Sequence, residues 1–393
     1  MKNQILKTKT GLIEEADALR DRARYKESLS VLARVLKVKT KLKTKNPEEV
    51  WKAHLLSGHN WRMLGDFKKA ISHYEKAISL AAAGDSAKRD GTAGDDTGTL
   101  DAKVGLALAW RAMGDWKKAL SLLSEAEKAY KKLGDEEALA FVLWSKGGAF
   151  RIKGDIGRAI ESFREARKIF ATRGDVQAAG YCFNGLGGAS RVKGAYKASL
   201  AYYSKANTLF RKLKDPFGLA YSFCGIGNAL RMAGRHEEAL AQFKKALKVY
   251  GRIGDIVSSS YTLWSESKSL MITGKTGPAR EKLKMAERLF KKTGDPRGSI
   301  YCLLSEAEFW FQAAGNGPKG GQKREKAKKI AARALDLARE HGFAVEACHA
   351  SRLLAFLKGD MAPRPAADFN KYGCYKKLGI KRPDYSRVPI NLP

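Results

Sequence analysis

A glycine-bearing turn recurs every 40 residues in this chain, and that spacing constrains the fold more than any other feature. It is read in Arg111-Ala-Met-Gly114-Asp115, Arg151-Ile-Lys-Gly154-Asp155, Arg191-Val-Lys-Gly194-Ala195 and Arg231-Met-Ala-Gly234-Arg235. The next slots are Met271-Ile-Thr-Gly274 and Phe311-Gln-Ala-Ala-Gly315. Upstream, Arg62-Met-Leu-Gly65-Asp66 lies 49 residues before Arg111, and the excess falls in Gly84 to Thr99, a Gly-, Asp- and Thr-rich stretch that reads as a loop insertion. Arg20-Asp-Arg-Ala23 fills the same slot without glycine, which makes eight units. A fixed period of this length is the mark of a stacked repeat array, in which no unit buries its apolar face alone.

Each unit reads as two helices. After Gly154-Asp155, the residues Ala159, Phe163 and Ala166 fall at i, i+4 and i+7, one face of a helix. The pattern returns as Ala70, Tyr74, Ala77; as Ala119, Leu123, Ala126; and as Ala239, Phe243, Ala246. Small alanines let two helices approach, and the large residue fills the space between them. A second pair, Gly134-Asp135, Gly174-Asp175, Gly254-Asp255 or Gly294-Asp295, closes most units. Glycine takes the left-handed position that ends a helix, and aspartate caps the start of the next.

The order Gly147, Phe150, Gly154, Ala159, Phe163, Ala166 resembles the tetratricopeptide repeat, from about residue 5 to 340 and in strict register over 103–300. The period of 40 rather than the family's usual 34 is similar to arrays of the Pins/LGN, rapsyn and kinesin light chain type. The resemblance implies an all-α, right-handed superhelical solenoid of about eight helix pairs, with a groove lined by the first helix of each pair. Residues 1–358 are expected to form the solenoid, with insertions near 84–99 and 316–322 and a capping helix over Phe343 to Leu357. Residues 359–393 differ in character. They carry Pro363, Pro365, Pro383, Pro389 and Pro393 with Phe369, Tyr372, Tyr375 and Tyr385, and read as an extended tail that packs along its own array or on a partner.

By the family register the groove stripe is Phe141, Trp144, Gly148, Arg151 in one unit and Tyr181, Asn184, Gly188, Arg191 in the next. It continues as Tyr221, Cys224, Asn228, Arg231, then Tyr261, Trp264, Lys268, Met271 and Tyr301, Leu304, Glu308, Phe311. Arginine thus holds the last stripe position in six units: Arg20, Arg62, Arg111, Arg151, Arg191 and Arg231. Like charges about 10 Å apart repel by roughly 0.4 kcal/mol in water and about 1.7 kcal/mol at an effective dielectric near 20, so the ladder is tolerable without aiding folding. An anionic extended segment would turn each repulsion into a charge-assisted contact. The alternative is that each arginine pairs with a carboxylate of a neighbouring turn. The resemblance also implies that Asn60, Asn184 and Asn228 bond a ligand's main chain. For Tyr181, Tyr221, Tyr261 and Tyr301, and for Trp144 and Trp264, packing between repeats and ligand contact both stay open.

The chain has 393 residues and a formal charge of +33, a field that attracts acidic protein segments, nucleic acid or anionic surfaces. Its apolar fraction of 44% argues against wholesale disorder. There are five cysteines in no C-x-x-C pair, which excludes a disulfide scaffold and a cysteine zinc site; Cys182, Cys224, Cys302 and Cys348 read as small packing residues and Cys374 as a tail thiol. No apolar run spans a membrane and the start lacks a signal peptide, so a reducing, cytoplasmic setting is expected. His54 and His59 lack a metal-ligand spacing, and Gly317 to Lys323 has the wrong order for a phosphate loop. No cofactor or metal is expected. The expected function is a non-catalytic scaffold or adaptor whose basic groove binds an extended, acidic segment of a partner protein. RNA or single-stranded nucleic-acid binding on the basic surface is the alternative.

Overall fold

The computed structural model describes residues 9–37, 47–85, 97–315, 320–359 and 373–393. Most of both expected insertions, and Pro363, Pro365, Phe369 and Tyr372, lie outside the described residues.

All regular elements among the described residues are helices. In chain order they are α1 (Lys9–Asp21), α2 (Tyr25–Lys37), α3 (Pro47–Met63), α4 (Phe67–Asp85), α5 (Thr97–Ala112) and α6 (Trp116–Leu133). There follow α7 (Glu136–Lys153), α8 (Ile156–Thr172), α9 (Val176–Lys193), α10 (Tyr196–Leu213), α11 (Pro216–Met232) and α12 (His236–Ile253). The last are α13 (Ile256–Ile272), α14 (Thr276–Thr293), α15 (Pro296–Gln312), α16 (Gly320–Glu340), α17 (Ala344–Lys358) and the four-residue α18 (Cys374–Lys377).

The boundaries follow from the turn chemistry. Asp115, Asp155, Asp175, Asp215 and Asp295 each accept a hydrogen bond from the backbone N–H three residues on, satisfying a donor that the first turn of a helix leaves orphaned. Pro216 and Pro296 occupy the first turn of α11 and α15, where the missing N–H costs nothing. Gly134, Gly194 and Gly294 end their helices at φ of 70°, 93° and 67°.

Two compact units are present, Met1–Val142 with Ile253–Asp255, and Leu143–Arg252 with Ile256–Pro393. In the first, consecutive helices α1 to α6 pack pairwise, and the first helices of successive pairs touch, α1 on α3 and α3 on α5. Its core includes Leu12, Ala16, Leu32 and Ala53 in one cluster and Ala70, Tyr74, Leu106 and Ala109 in another. In the second unit, α9, α11, α13, α15 and α17 form one continuous layer, with the second helices stacked behind it.

Tyr74, Phe163 and Tyr203, large residues of three second helices, are each wedged between glycines of two first helices. A Cβ on Gly147 would lie 2.8 Å, and one on Gly185 2.5 Å, from the Phe163 ring. Gly187 and Gly225 flank Tyr203 in the same way, at 2.8 Å and 2.1 Å. Gly185 and Gly225 are therefore packing glycines, each yielding its side-chain volume to a ring from the preceding second helix.

The sequence reading gives 359–393 as an extended tail that packs along its own array or on a partner. Residues 373–393 belong to the second compact unit, and they begin with a helical turn, α18, before an irregular stretch that bends over 386–389. Cys348 and Cys374 are disulfide-bonded, with Cα atoms 6.1 Å apart, in place of the separate packing residue and tail thiol expected from the sequence.

Candidate functional site

The first-helix layer of the second unit carries most of the residues singled out by sequence, and it sorts them into two groups. The aromatic residues hold repeats together. Tyr181 donates to Asp215 Oδ2 at 2.6 Å and Tyr261 to Asp295 Oδ2 at 2.8 Å, each reaching the capping aspartate 34 residues on. Tyr301 donates to Glu346 at 2.9 Å. Trp144 Nε1 donates to the Tyr181 carbonyl at 3.3 Å, and Trp264 Nε1 to the Tyr301 carbonyl at 3.1 Å. Tyr221 is half-buried with its ring 6.4 Å from that of Phe217. The polar tips of Tyr181, Tyr261, Tyr301, Trp144 and Trp264 are engaged inside the array, which is the packing alternative.

Arg151, Arg191 and Arg231 form the second group, with Asn184 and Asn228. Gly188 opens the space beside them. A Cβ there would lie 3.2 Å from Tyr203 Oη and 3.9 Å from Arg151 Cδ and Nη1. No carboxylate pairs with any of the three arginines among the described residues. Asn184 is 2% exposed, and neither its Oδ1 nor its Nδ2 has a protein partner. A buried amide left so costs about 1–3 kcal/mol per group. Asn228 faces the other way: its Nδ2 donates to the Cys224 carbonyl at 3.1 Å, and its Oδ1 accepts from Arg231 Nη2 at 3.2 Å. It orients the arginine.

Arg231 is wholly buried, against the expectation of an open ladder position. What covers it is the segment 373–393. Arg231 Nη1 donates to Asn391 Oδ1, Nη2 donates to the Leu392 carbonyl at 2.8 Å, and the Arg231 carbonyl accepts from Asn391 Nδ2 at 2.9 Å. Its guanidinium also lies 5.5 Å from the Trp264 ring centre. Burial, then the neighbouring Arg191, pushes its pKa below the ordinary guanidinium value.

Further side chains of this layer, among them Glu308 of the groove stripe, hold the same segment. Glu308 Oε1 accepts from the Ile390 N–H at 2.9 Å while its other oxygen meets Lys268 in a fully buried ion pair. Burial pushes Lys268 down and Glu308 up, and each charge offsets the effect on the other. His349 Nδ1 lies 2.8 Å from Tyr375 Oη, which is 2.7 Å from Tyr385 Oη. Burial lowers His349 to about 4. Burial alone would raise the Glu346 carboxyl, but Arg297 outweighs it and holds it low. Lys381 N donates to the Lys193 carbonyl at 3.0 Å, and its Cβ would stand 2.3 Å from a Cβ on Gly194, whose φ is +93°. Glycine is demanded there twice, by conformation and by space. Lys268 and Glu308 carry a signal in the sequence: opposite charges at one stripe slot, 40 residues apart.

In the first unit the ladder is partly spent. Arg20 pairs with Asp17 at 2.9 Å and Asp21 at 3.3 Å, so the intramolecular alternative holds for it. Asn60 is buried and donates to Ser28 Oγ at 2.8 Å, inside the core rather than toward a ligand. Arg62 lines a cavity of about 220 Å³ with His59, Asp101, Tyr130 and Phe141. Arg111 is half-buried and engaged within the chain. His59 Nδ1 lies 2.8 Å from Tyr74 Oη, and burial lowers its pKa to about 3.

Comparisons with known proteins agree on the fold. Tetratricopeptide repeat models match residues 178–252 and residues 62–83. No curated protein matches the chain in sequence. Among solved structures, a Rap protein complexed with competence and sporulation factor aligns with a TM-score of 0.59 at 12% identity, covering 90% of this chain and 98% of that one. A signal transduction ATPase with a tetratricopeptide repeat sensor, from Pyrococcus horikoshii, aligns with a TM-score of 0.50 at 15% identity over 95% of this chain and 53% of that one. At such identities the likeness concerns architecture. Matched by the repeat models in two separate stretches, and built of the stacked helix pairs they describe, this chain is a tetratricopeptide repeat protein.

Proposed function

We propose that the protein is a non-catalytic, cytoplasmic scaffold whose first-helix layer binds an extended, acidic segment of a partner protein. The observation that carries this reading is the pairing of unneutralised cations with an unsatisfied amide. Arg151 and Arg191 have no carboxylate partner among the described residues, and Asn184, seven residues before Arg191 on the same stripe of α9, offers a buried donor and a buried acceptor. An extended main chain presents both complements to an asparagine amide, and acidic side chains supply what the guanidinium groups lack. The Rap structure is itself described as a complex with competence and sporulation factor, which supports the reading by analogy of fold. The test is isothermal titration with an acidic extended peptide. Binding is expected to be lost in an Arg151→Glu, Arg191→Glu double variant whose circular dichroism melt is unchanged, and unaltered affinity in that variant removes the proposal.

A second reading, single-stranded nucleic-acid binding, rests on a different place. Arg164, Arg167, Lys168 and Lys205 surround Phe183 and Tyr202 in a pocket of about 490 Å³, with no acidic residue among its lining groups. Cations around stackable rings suit a phosphate backbone with bases. The expected signature is a linear fall of log affinity with log salt, and no retardation of a labelled oligonucleotide at about 50 mM salt discards it.

A further inference from the structure

The segment 373–393 shows what the first-helix layer can recognise, because it is itself a peptide held there, irregular after its helical turn and bent over 386–389. Its contacts are of two kinds. Asn391 makes a two-way bond with Arg231, and the flanking Ile390 and Leu392 are buried, with the Ile390 N–H on Glu308. This is recognition of an aliphatic–Asn–aliphatic element, by amide and main chain, with no carboxylate of the segment used. Elsewhere the fit is electrostatically poor. The segment carries Lys376, Lys377, Lys381, Arg382 and Arg387 against one acidic side chain, Asp384, and the arginine it grips, Arg231, stands in the field of Arg191. Arg387 acts on His236 together with Arg231, both lowering its pKa after burial does, which places a tail cation in the field of the layer's own. Hydrogen bonds and apolar burial therefore hold this segment in place against charge.

We propose that residues 381–392 occupy, in cis, the surface that receives the partner, and that the partner segment combines an aliphatic–Asn–aliphatic element for Arg231 and Glu308 with carboxylates where this chain has Lys381, Arg382 and Arg387. Such a segment keeps every specific contact and replaces repulsion by attraction, so it displaces the chain's own. The two occupants respond oppositely to salt: screening stabilises the docked basic segment and weakens the acidic one. This proposal rests on the scaffold reading above, and it adds the ligand's pattern and the exchange that precedes binding.

The experiment uses the full chain and two synthetic peptides of residues 381–393, one unaltered and one carrying Lys381→Glu, Arg382→Glu and Arg387→Glu. The acidic peptide is expected to bind at least about tenfold more tightly than the unaltered one, and to speed hydrogen exchange at the Ile390 and Lys381 amides, which are bonded to Glu308 and Lys193 in the docked state. An Asn391→Ala change in the protein, checked for an unchanged melting profile, loosens the internal occupant. It should tighten acidic-peptide binding by about tenfold, because a larger fraction of molecules is competent. The same change in the peptide should weaken binding by a similar factor. If the acidic peptide binds in a manner that needs Arg151 and Arg191, but the Ile390 and Lys381 amides stay protected and Asn391→Ala leaves the affinity unaltered, displacement is overturned and the scaffold reading stands. If neither peptide binds the wild-type chain or the Asn391→Ala chain, this proposal is overturned and the scaffold reading loses its support on this layer.

Discussion

Arg231 and Asn391, 160 residues apart, grip each other from both ends: the guanidinium donates to the amide oxygen, and the amide nitrogen donates back to the arginine's own carbonyl at 2.9 Å. Asn228 holds the guanidinium from the other side at 3.2 Å, so the arginine is fixed before the segment arrives. Substituting Arg231 by alanine should loosen the docked segment by about 1.5–3 kcal/mol, the range for hydrogen bonds to a charged group. Hydrogen exchange at Ile390 reads this directly, and unchanged protection there would show that the segment is held by apolar burial alone.

The Lys268–Glu308 pair predicts an asymmetry between single and double variants. Lys268→Met leaves an unpaired carboxylate in the core and should cost about 3–5 kcal/mol, whereas Lys268→Met with Glu308→Met should recover much of that loss. Thermal melts of the three proteins check it. Equal destabilisation in the single and double variants would mean that the pair does not share its burial.

His349 gives the docked segment a pH response. Its pKa is about 4 when buried against Tyr375, against about 6.5 when exposed. Glu346 raises it, while Arg297 and Lys268 lower it further beyond the effect of burial. A depressed pKa contributes stability that is complete above the exposed value and is lost as pH falls through the buried one. Docking should therefore weaken between about pH 6.5 and 4, by at most roughly 3 kcal/mol. A His349→Gln variant should show a flatter exchange profile at Ile390 over that window, and an identical profile in both proteins removes the assignment.

Gly225→Ala should destabilise the second unit by about 1–3 kcal/mol, since the new methyl would meet the Tyr203 ring at 2.1 Å with the buried ring unable to swing aside. Gly234→Ala provides the contrast: nothing lies within 4 Å of its Cβ direction, so only the strain of a φ of +80° acts there. Denaturant melts that rank Gly225→Ala below Gly234→Ala in cost would contradict the packing account.

How much of this was readable beforehand depended on distance along the chain. The helix pairs, the aspartate caps and the wedged rings repeat every 40 residues, so periodicity exposes them. The Tyr181–Asp215 and Tyr261–Asp295 bonds share one spacing of 34 and were available to the same arithmetic, yet the tyrosines stayed open because a groove position and a packing position fall on adjacent strips of one helix. Arg231 was legible as a ladder member but not as a buried one. Its partner lies in a segment outside the period, and no repeat of the array announces that contact. Arg20 and Asn60 went astray for a local reason: Asp17 and Ser28 are close enough in space to satisfy them, and the stripe register says nothing of neighbours off the stripe.

The rings of Phe163 and Tyr203, each shared between glycines of two adjoining pairs, mean that the boundary of the genetic repeat is not a boundary of the fold. Cutting the chain between α8 and α9, or between α10 and α11, leaves a ring without one of its two seats. A change of one whole period within this stretch keeps ring and glycine in step, because Gly147, Gly187 and Gly227 recur at 40-residue spacing. An array built this way can change length by duplication while resisting small insertions inside a pair, and its growth is quantised in steps of one shared side chain.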